Sequence, residues 1–169
     1  MTEAVVRSRT LAFETALGTC ALFWNDRGIR EIAFSVAGGE SEGGPPAPAW
    51  VQDVRDAILA HLSGRLQAFS WIPLDDRGLT PFASRVYTRL REVPFGHVTS
   101  YGELAARAGA KGAARAVGGA LHRNPWLLVV PCHRVVGRGN IGGFSGLGGR
   151  STKRRLLALE GIDLPEAWG

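Results

Sequence analysis

Helix start and stop signals crowd the stretch from Thr80 to Pro125 so closely that it can fold only as short helices joined by tight turns. Thr80-Pro81 opens the first helix, because threonine can cap it and proline suits the first helical position. Phe82, Val86, Leu90 and Val93 recur at helical spacing, and Pro94 closes the run. Ser100-Tyr101-Gly102-Glu103 has the form of a capping box, in which each end satisfies the other's backbone donor. The helix it opens carries Leu104, Ala105 and Ala108 and stops near Gly109. A turn through Lys111-Gly112 leads to another helix, roughly 113–122, ended by Asn124-Pro125. Two short helices on a tight glycine-bearing turn read as a helix-turn-helix. Many helical hairpins share that form without touching DNA.

The second helix of the pair has an odd composition. Ala113-Ala114-Arg115-Ala116-Val117-Gly118-Gly119-Ala120 is nearly all small residues, with one arginine. Each interior glycine costs about 1 kcal/mol relative to alanine. Close approach of another backbone, from the protein or from a nucleic-acid strand, is a compensating reason. Small side chains also suit a shallow minor groove, with Arg115 as a probe able to enter the base stack. The alternative is tight packing within the domain, with Arg115 at the surface. The last helix, capped by Ser151, runs from Lys153 to Glu160 with Gly161 behind it. A carboxylate at a helix C-terminus opposes the macrodipole by roughly 0.3–1 kcal/mol if exposed. Glu160 is therefore a tolerated surface residue or a functional one.

The N-terminal half reads differently. Leu11–Thr15, Cys20–Trp24 and Ile29–Phe34 are strand-like, punctuated by Gly18 and Asn25-Asp26-Arg27-Gly28. Ala37 to Pro48 is rich in Gly and Pro and is predicted as an exposed loop. Val51, Val54, Ile58 and Leu62 form one stripe of a helix ending at Gly64. Arg65 to Ile72 alternates and is predicted as a further strand. Pro73 to Gly78 is the best boundary, dividing an N-terminal α/β domain (1–78) from a C-terminal domain (79–169) in an α+β chain. Charge divides at the same place: 7 Lys+Arg against 10 Asp+Glu before Leu79, and 13 against 5 after it, or −3 and +8 of the total +5. The basic half points to a polyanion partner, with a merely solvated basic surface as the alternative.

Composition excludes several classes. With 45% hydrophobic and 21% charged residues, 169 residues build a globular core. Two distant cysteines suggest no disulfide framework. The four histidines and two cysteines show no metal-ligand spacing, and Cys20 and His61 assemble no zinc site. Met1 to Thr10 lacks the apolar core of a signal peptide and no run approaches a membrane span, so a reduced, cytoplasmic setting is expected.

The chemistry concentrates at Pro131-Cys132-His133-Arg134-Val135. An apolar run, Leu127 to Val130, reads as a strand delivering a thiol beside protonatable and cationic side chains. The thiolate is the reactive form, and nearby positive charge or a base makes it accessible near neutral pH. A buried core cysteine is the competing reading of these five residues alone.

Taken together, Thr99-Ser100-Tyr101-Gly102, Ala113 to Gly118, Asn124-Pro125 and Pro131 to Val135, in that order and at that spacing, resemble the O6-alkylguanine-DNA alkyltransferases, the methylated-DNA–protein-cysteine methyltransferases. The resemblance covers about half of the chain, from Pro81 to Glu160. It implies a small ribonuclease H-like N-terminal domain and a winged-helix-like C-terminal domain. It also implies a monomer without cofactor that binds duplex DNA through the minor groove and flips O6-alkylguanine into a pocket. Cys132 is then the alkyl acceptor, in a single, irreversible transfer. His133 is the base through a water molecule, oriented by Glu160. Tyr101 gives a proton to the departing guanine and crowds the phosphate that rotates. Asn124 fixes the active-site turn. Arg115 fills the gap left by the flipped base, and Thr99, Ser100, Ala114, Gly118, His122 and Arg123 line the DNA face. Leu121, Val135, Phe144 and Ser145 belong to the pocket. Phe144 stands where the family usually has tyrosine, which removes one hydroxyl that Ser145 could replace. Three rivals compete with this reading. One is a non-catalytic sensor of alkylated guanine with the same fold, whose members carry tryptophan in place of the nucleophile. The others are a Cys–His hydrolase and a plain helix-turn-helix regulator.

Overall fold

In the computed structural model, residues 9–36 and 46–169 are described. The loop expected from Ala37 to Pro48 lies mostly outside them, as does most of the stretch from Met1 to Thr10. Strands β1 (Arg9–Thr15), β2 (Gly18–Asn25) and β3 (Gly28–Ser35) form an antiparallel meander in that order. They contain all three strand-like runs. Cys20, Leu22 and Trp24 of β2 alternate inward, and helix α1 (Ala49–Leu62) buries Val51, Val54, Ile58 and Leu62.

The free edge of β3 is where the two halves join. Ile29 N–H donates to Pro73 O and its carbonyl accepts from Asp75 N, both at 2.9 Å. Further along, Ile32 N–H donates to Pro125 O at 2.8 Å, and the buried Trp126 indole donates to Ile29 O at 2.9 Å. Covering an edge in this way removes a row of unpaired backbone groups. One buried apolar cluster runs without a break from Cys20 to Leu156.

Arg65 to Ile72 is not a strand. The carbonyls of Phe69, Ser70 and Ile72 accept instead from one guanidinium nitrogen of Arg91, at 3.0, 3.1 and 3.0 Å. A side chain thus satisfies groups that a ladder would otherwise pair.

Helix α2 (Pro81–Arg91) starts as its signals indicate: Thr80 Oγ1 accepts from Ala83 N at 3.1 Å. Strand β4 (Thr99–Ser100) leads into α3 (Tyr101–Arg107), whose capping box is complete. Ser100 N–H donates to Glu103 at 2.7 Å, and Glu103 N–H donates to Ser100 Oγ at 3.1 Å. Helix α4 (Ala114–His122) follows, then a single 3-10 turn at Cys132–Arg134, β5 (Val135–Val136) and α5 (Gly149–Leu159). Strand β5 pairs in parallel with β4, Thr99 opposite Val135, which ties the reactive turn to the start of the helix pair. Helix α5 begins two residues before Ser151. Gly148, at φ 81°, is its N-cap, and no side chain caps it. Among the described residues no helix is long and apolar enough to cross a membrane.

Candidate active site

Leu127 to Val130 is a turn, not the expected strand. Asn124 builds it: its Nδ2 donates to Val130 O at 2.8 Å, and its Oδ1 accepts from Trp126 N at 2.9 Å. Leu128 sits at φ 73°, a left-handed conformation that costs a non-glycine residue about 1–2 kcal/mol. Pro131, at φ −80° and ψ 66°, then makes an inverse γ-turn closed by Cys132 N–H to Val130 O at 2.8 Å. Cys132 and His133 therefore leave a helical turn, and the alternation of a strand does not separate them.

The thiol lines a cavity of about 230 Å³ with Tyr101, Gly118, Leu121, His122, Gly143, Phe144 and Ser145. Beside it, Ser100, Tyr101, Ala114 and Arg138 help line an open groove along the helix pair. Arg115, His122 and Arg123 are exposed on or just after α4. Thr99 is buried, with its hydroxyl on Glu103 at 3.3 Å. Gly142 has φ 73°, and a Cβ there would lie 2.7 Å from the Tyr101 hydroxyl, so its position demands glycine on both counts. Gly118 differs: a Cβ would meet nothing closer than Tyr101 at 3.9 Å. The protein's own packing does not require Gly118 to lack a side chain.

Behind the thiol is a buried polar cluster. Glu160 Oε1 accepts from His133 Nε2 at 2.8 Å, Arg134 Nη2 at 2.8 Å and His61 Nε2 at 3.2 Å, while Oε2 accepts from Arg134 Nε at 2.9 Å. Arg134 Nη1 also donates to Val93 O at 2.6 Å. Burial alone would push the Glu160 carboxyl up, but hydrogen bonds from His133, His61 and Arg134 outweigh it and hold the group well below the carboxylate range. Burial pushes His133 below the usual imidazole value, against the pull of Glu160. With Nε2–H spent on Glu160, His133 Nδ1 is an acceptor, and it is buried without a partner among the described residues. Burial also raises the Cys132 thiol, partly offset by a hydrogen bond with Asn124, the charge of Lys153 and nearby backbone N–H groups. Burial thus favours the neutral thiol at rest, and Arg134 is committed to Glu160 instead of to sulfur.

Lys153 is fully buried, and its Nζ donates to Val135 O at 2.5 Å and Gly143 O at 2.9 Å. It clamps the backbone after the thiol to the cavity rim, and burial pushes it down to about 8. Sequence reasoning passed over Lys153 and the partnerships of His61 and Arg134. A signal existed for the lysine: residues 153, 156, 157 and 160 lie on one face of α5, so Lys153 and Glu160 share the stripe of Leu156 and Leu157. Burial pushes the phenol of Tyr101 up, so it is a neutral donor at the cavity wall. Among the described residues no group of three His, Cys, Asp or Glu side chains could hold a metal ion.

Comparison with known proteins follows the same outline. The family described as 6-O-methylguanine DNA methyltransferase, DNA binding domain, matches residues 81–162. A methylated-DNA–protein-cysteine methyltransferase of Haemophilus influenzae is 40% identical over 159 residues, covering 89% of this chain and 84% of its own. A DNA base-flipping protein of Thermus thermophilus is 40% identical over 150 residues, covering 87% of this chain and 96% of its own. The crystal structure of Mycobacterium tuberculosis OGT in complex with DNA superposes with a TM-score of 0.76 at 35% identity, covering 90% of this chain and 92% of that one.

Proposed function

Because the chain belongs to the methylated-DNA–protein-cysteine methyltransferases, and so repairs DNA by moving an alkyl group onto a protein cysteine, we propose that Cys132 is the acceptor and that duplex DNA carrying O6-alkylguanine is its partner. The observation that carries the assignment is the single thiol at the cavity wall. Cys20, the other cysteine, is buried in the sheet with its thiol pushed up to about 12. Finer features of the fold, a ribonuclease H-like N-terminal unit (1–78) and a winged-helix-like C-terminal unit (79–169), belong to the same reading. So do a monomeric state and a cytoplasmic setting.

The reaction balances without a cofactor. His133 Nδ1 takes the thiol proton through a water molecule, and Glu160 steadies the imidazolium that forms. The sulfur attacks the O6-alkyl carbon in line; the S–C bond forms as the C–O6 bond breaks. The electron pair leaves on guanine, and Tyr101 supplies a proton to it. The proton held at His133 restores the balance through solvent, leaving a thioether that no group here hydrolyses. Leu121 and Phe144 form the apolar walls, Ser145 offers a hydroxyl toward O6, and backbone groups near Cys132 and Val135 read the guanine edge. With Val135 O held by Lys153, the lysine fixes the wall and brings positive charge toward sulfur.

On the DNA side, α4 enters the minor groove. Its small face, with Ala114 and Gly118, admits the sugar–phosphate strand, and Arg115 occupies the space of the everted base. Ser100, with Thr99 beneath it, and His122 and Arg123 meet the backbone, which positions the protein without reading sequence. Arg115→Ala is expected to slow repair of duplex DNA about 10- to 100-fold, because extrusion costs a few kcal/mol and 1.4 kcal/mol is a factor of ten. Reaction with free O6-methylguanine stays unchanged. An equal loss on the free base removes the finger role.

Gly118→Ala separates folding from function. Helix propensity raises stability by about 0.5–1 kcal/mol, a few degrees in Tm, while the added methyl narrows the route into the cavity and slows duplex repair. Calorimetry and single-turnover rates check the two signs. The pH profile is a further test. The base must be neutral, and His133 lies below its ordinary 6.5, so the rate holds through pH 7 and falls only in more acid solution. A fall already near pH 7 would remove His133 as the base.

Intact-mass analysis with peptide mapping after exposure to O6-methylguanine DNA tests the whole reading. One methyl group per chain, on the peptide bearing Cys132, is the expected result. An unmodified chain still bound to the lesion would make the protein a sensor. Repeated turnover would make it a hydrolase.

A further inference from the structure

We propose that His61, on α1 in the N-terminal half, is a positioning residue for alkyl transfer: it braces Glu160 from a different element than His133 and Arg134, so that the carboxylate holds the imidazole in its working orientation. This rests on the reading of Cys132 as acceptor and His133 as base.

The tautomer of His61 follows from its contacts. Gln67 N–H donates to Nδ1 at 3.1 Å, so Nδ1 is the acceptor nitrogen. The ring proton of the neutral imidazole is therefore on Nε2, which donates to Glu160 Oε1 at 3.2 Å. The ring is fully buried and rests on Phe69 at a centroid distance of 5.1 Å, which fixes its plane. The other two donors to Glu160 come from neighbouring residues of one 3-10 turn, Cys132–Arg134. His61 is the donor that reaches it from a different element. Removing it leaves a carboxylate at the C-cap of α5 tied to one short turn. It also leaves a buried oxygen with one fewer donor.

That change has an electrical signature. Around Glu160 and His133 the charged and titratable groups are Arg134 from the 3-10 turn, His61 from α1 and, toward the thiol, Lys153 from α5. Loss of the His61 N–H leaves more negative potential at Oε1, which favours the charged form of His133. More acid-side protonation of the base means that the acid limb of the rate profile moves to higher pH.

The test compares the unaltered chain with His61→Phe, which keeps a ring without a donor, and His61→Gln, which keeps one donor and one acceptor. Single-turnover transfer from O6-methylguanine duplex is measured by intact mass from mildly acid to mildly alkaline pH. We expect His61→Phe to be about tenfold slower at neutral pH, the lower end for loss of an orienting partner. Its acid limb should move up by about half a unit, and His61→Gln should recover most of the rate. The idea is overturned if His61→Phe keeps the wild-type rate and profile. It is equally overturned if both variants slow by one factor at every pH, which is what a purely structural histidine predicts. If His61→Phe does not fold, 15N NMR of the wild-type ring decides: an Nε2–H tautomer is expected, and an Nδ1–H tautomer rejects the contact. A wild-type chain that takes no methyl on Cys132 sinks the parent reading and this one together. A methylated wild type beside an unimpaired phenylalanine variant sinks this one alone.

Discussion

The Cys132→Ser chain is expected to take up no alkyl group while binding DNA as tightly as the original. A serine hydroxyl occupies less space than the thiol, and the bonds by which Asn124 builds the turn run to Val130 and Trp126 and not to the side chain of Cys132, so the turn survives. What disappears is the soft, ionisable atom. Neither a neutral His133 nor the charge of Lys153 can bring an aliphatic hydroxyl within reach of ionisation near neutral pH. A loss on the order of 10⁶-fold accompanies removal of the catalytic nucleophile of a serine protease, which for a single-turnover reaction means no detectable product. Gel-shift titration on lesion-bearing duplex and intact mass check the two halves separately. A modified serine chain would place the acceptor elsewhere.

Glu160→Gln carries the second large effect, and it falls on stability as well as rate. The carboxylate is the buried counterion of Arg134, held by two hydrogen bonds at 2.8 and 2.9 Å. An amide leaves that guanidinium without its charge partner and turns an N–H toward one of the three donors. Breaking a buried pair from one side costs about 3–5 kcal/mol, roughly 10 °C in Tm for a chain of this size. Transfer slows as well, because the imidazole loses its orienting acceptor. The pH dependence gives an independent check. The carboxyl is depressed in the folded state, so its contribution is complete above its unfolded value of about 4.3 and declines as pH falls through the folded value. The stability gap between the two chains should be flat above about pH 5 and close in strong acid. A gap that widens in acid would contradict the assignment.

Local chemistry made much of the fold legible. Thr80, Ser100 and Glu103 act where their side chains say they should, because a cap is decided within four residues. The three hairpin strands were legible for the same reason. Arg65 to Ile72 was not, since its carbonyls are satisfied by Arg91, some twenty residues away. Ser151 made a plausible cap, but Gly148 in a left-handed conformation starts α5 earlier. At the site, motif order drew Tyr101, Leu121, Cys132, Phe144 and Ser145 to one cavity. The bond between His61 and Glu160 spans 99 residues, and no local pattern announces such a contact. Lys153 could have been found as a cation on an apolar stripe, and the charge-rich run around it concealed the stripe.

The joint along β3 bears on any attempt to graft this chemistry onto another scaffold. A fragment starting at Leu79 would inherit the sulfur, the base and the glutamate. It would leave behind the carbonyl of Ile29 that anchors Trp126 inside the reactive turn. Nothing in such a fragment replaces that tether, and Leu128 would be free to relax out of its left-handed conformation. The smallest portable unit of this repair device therefore includes the hairpin sheet.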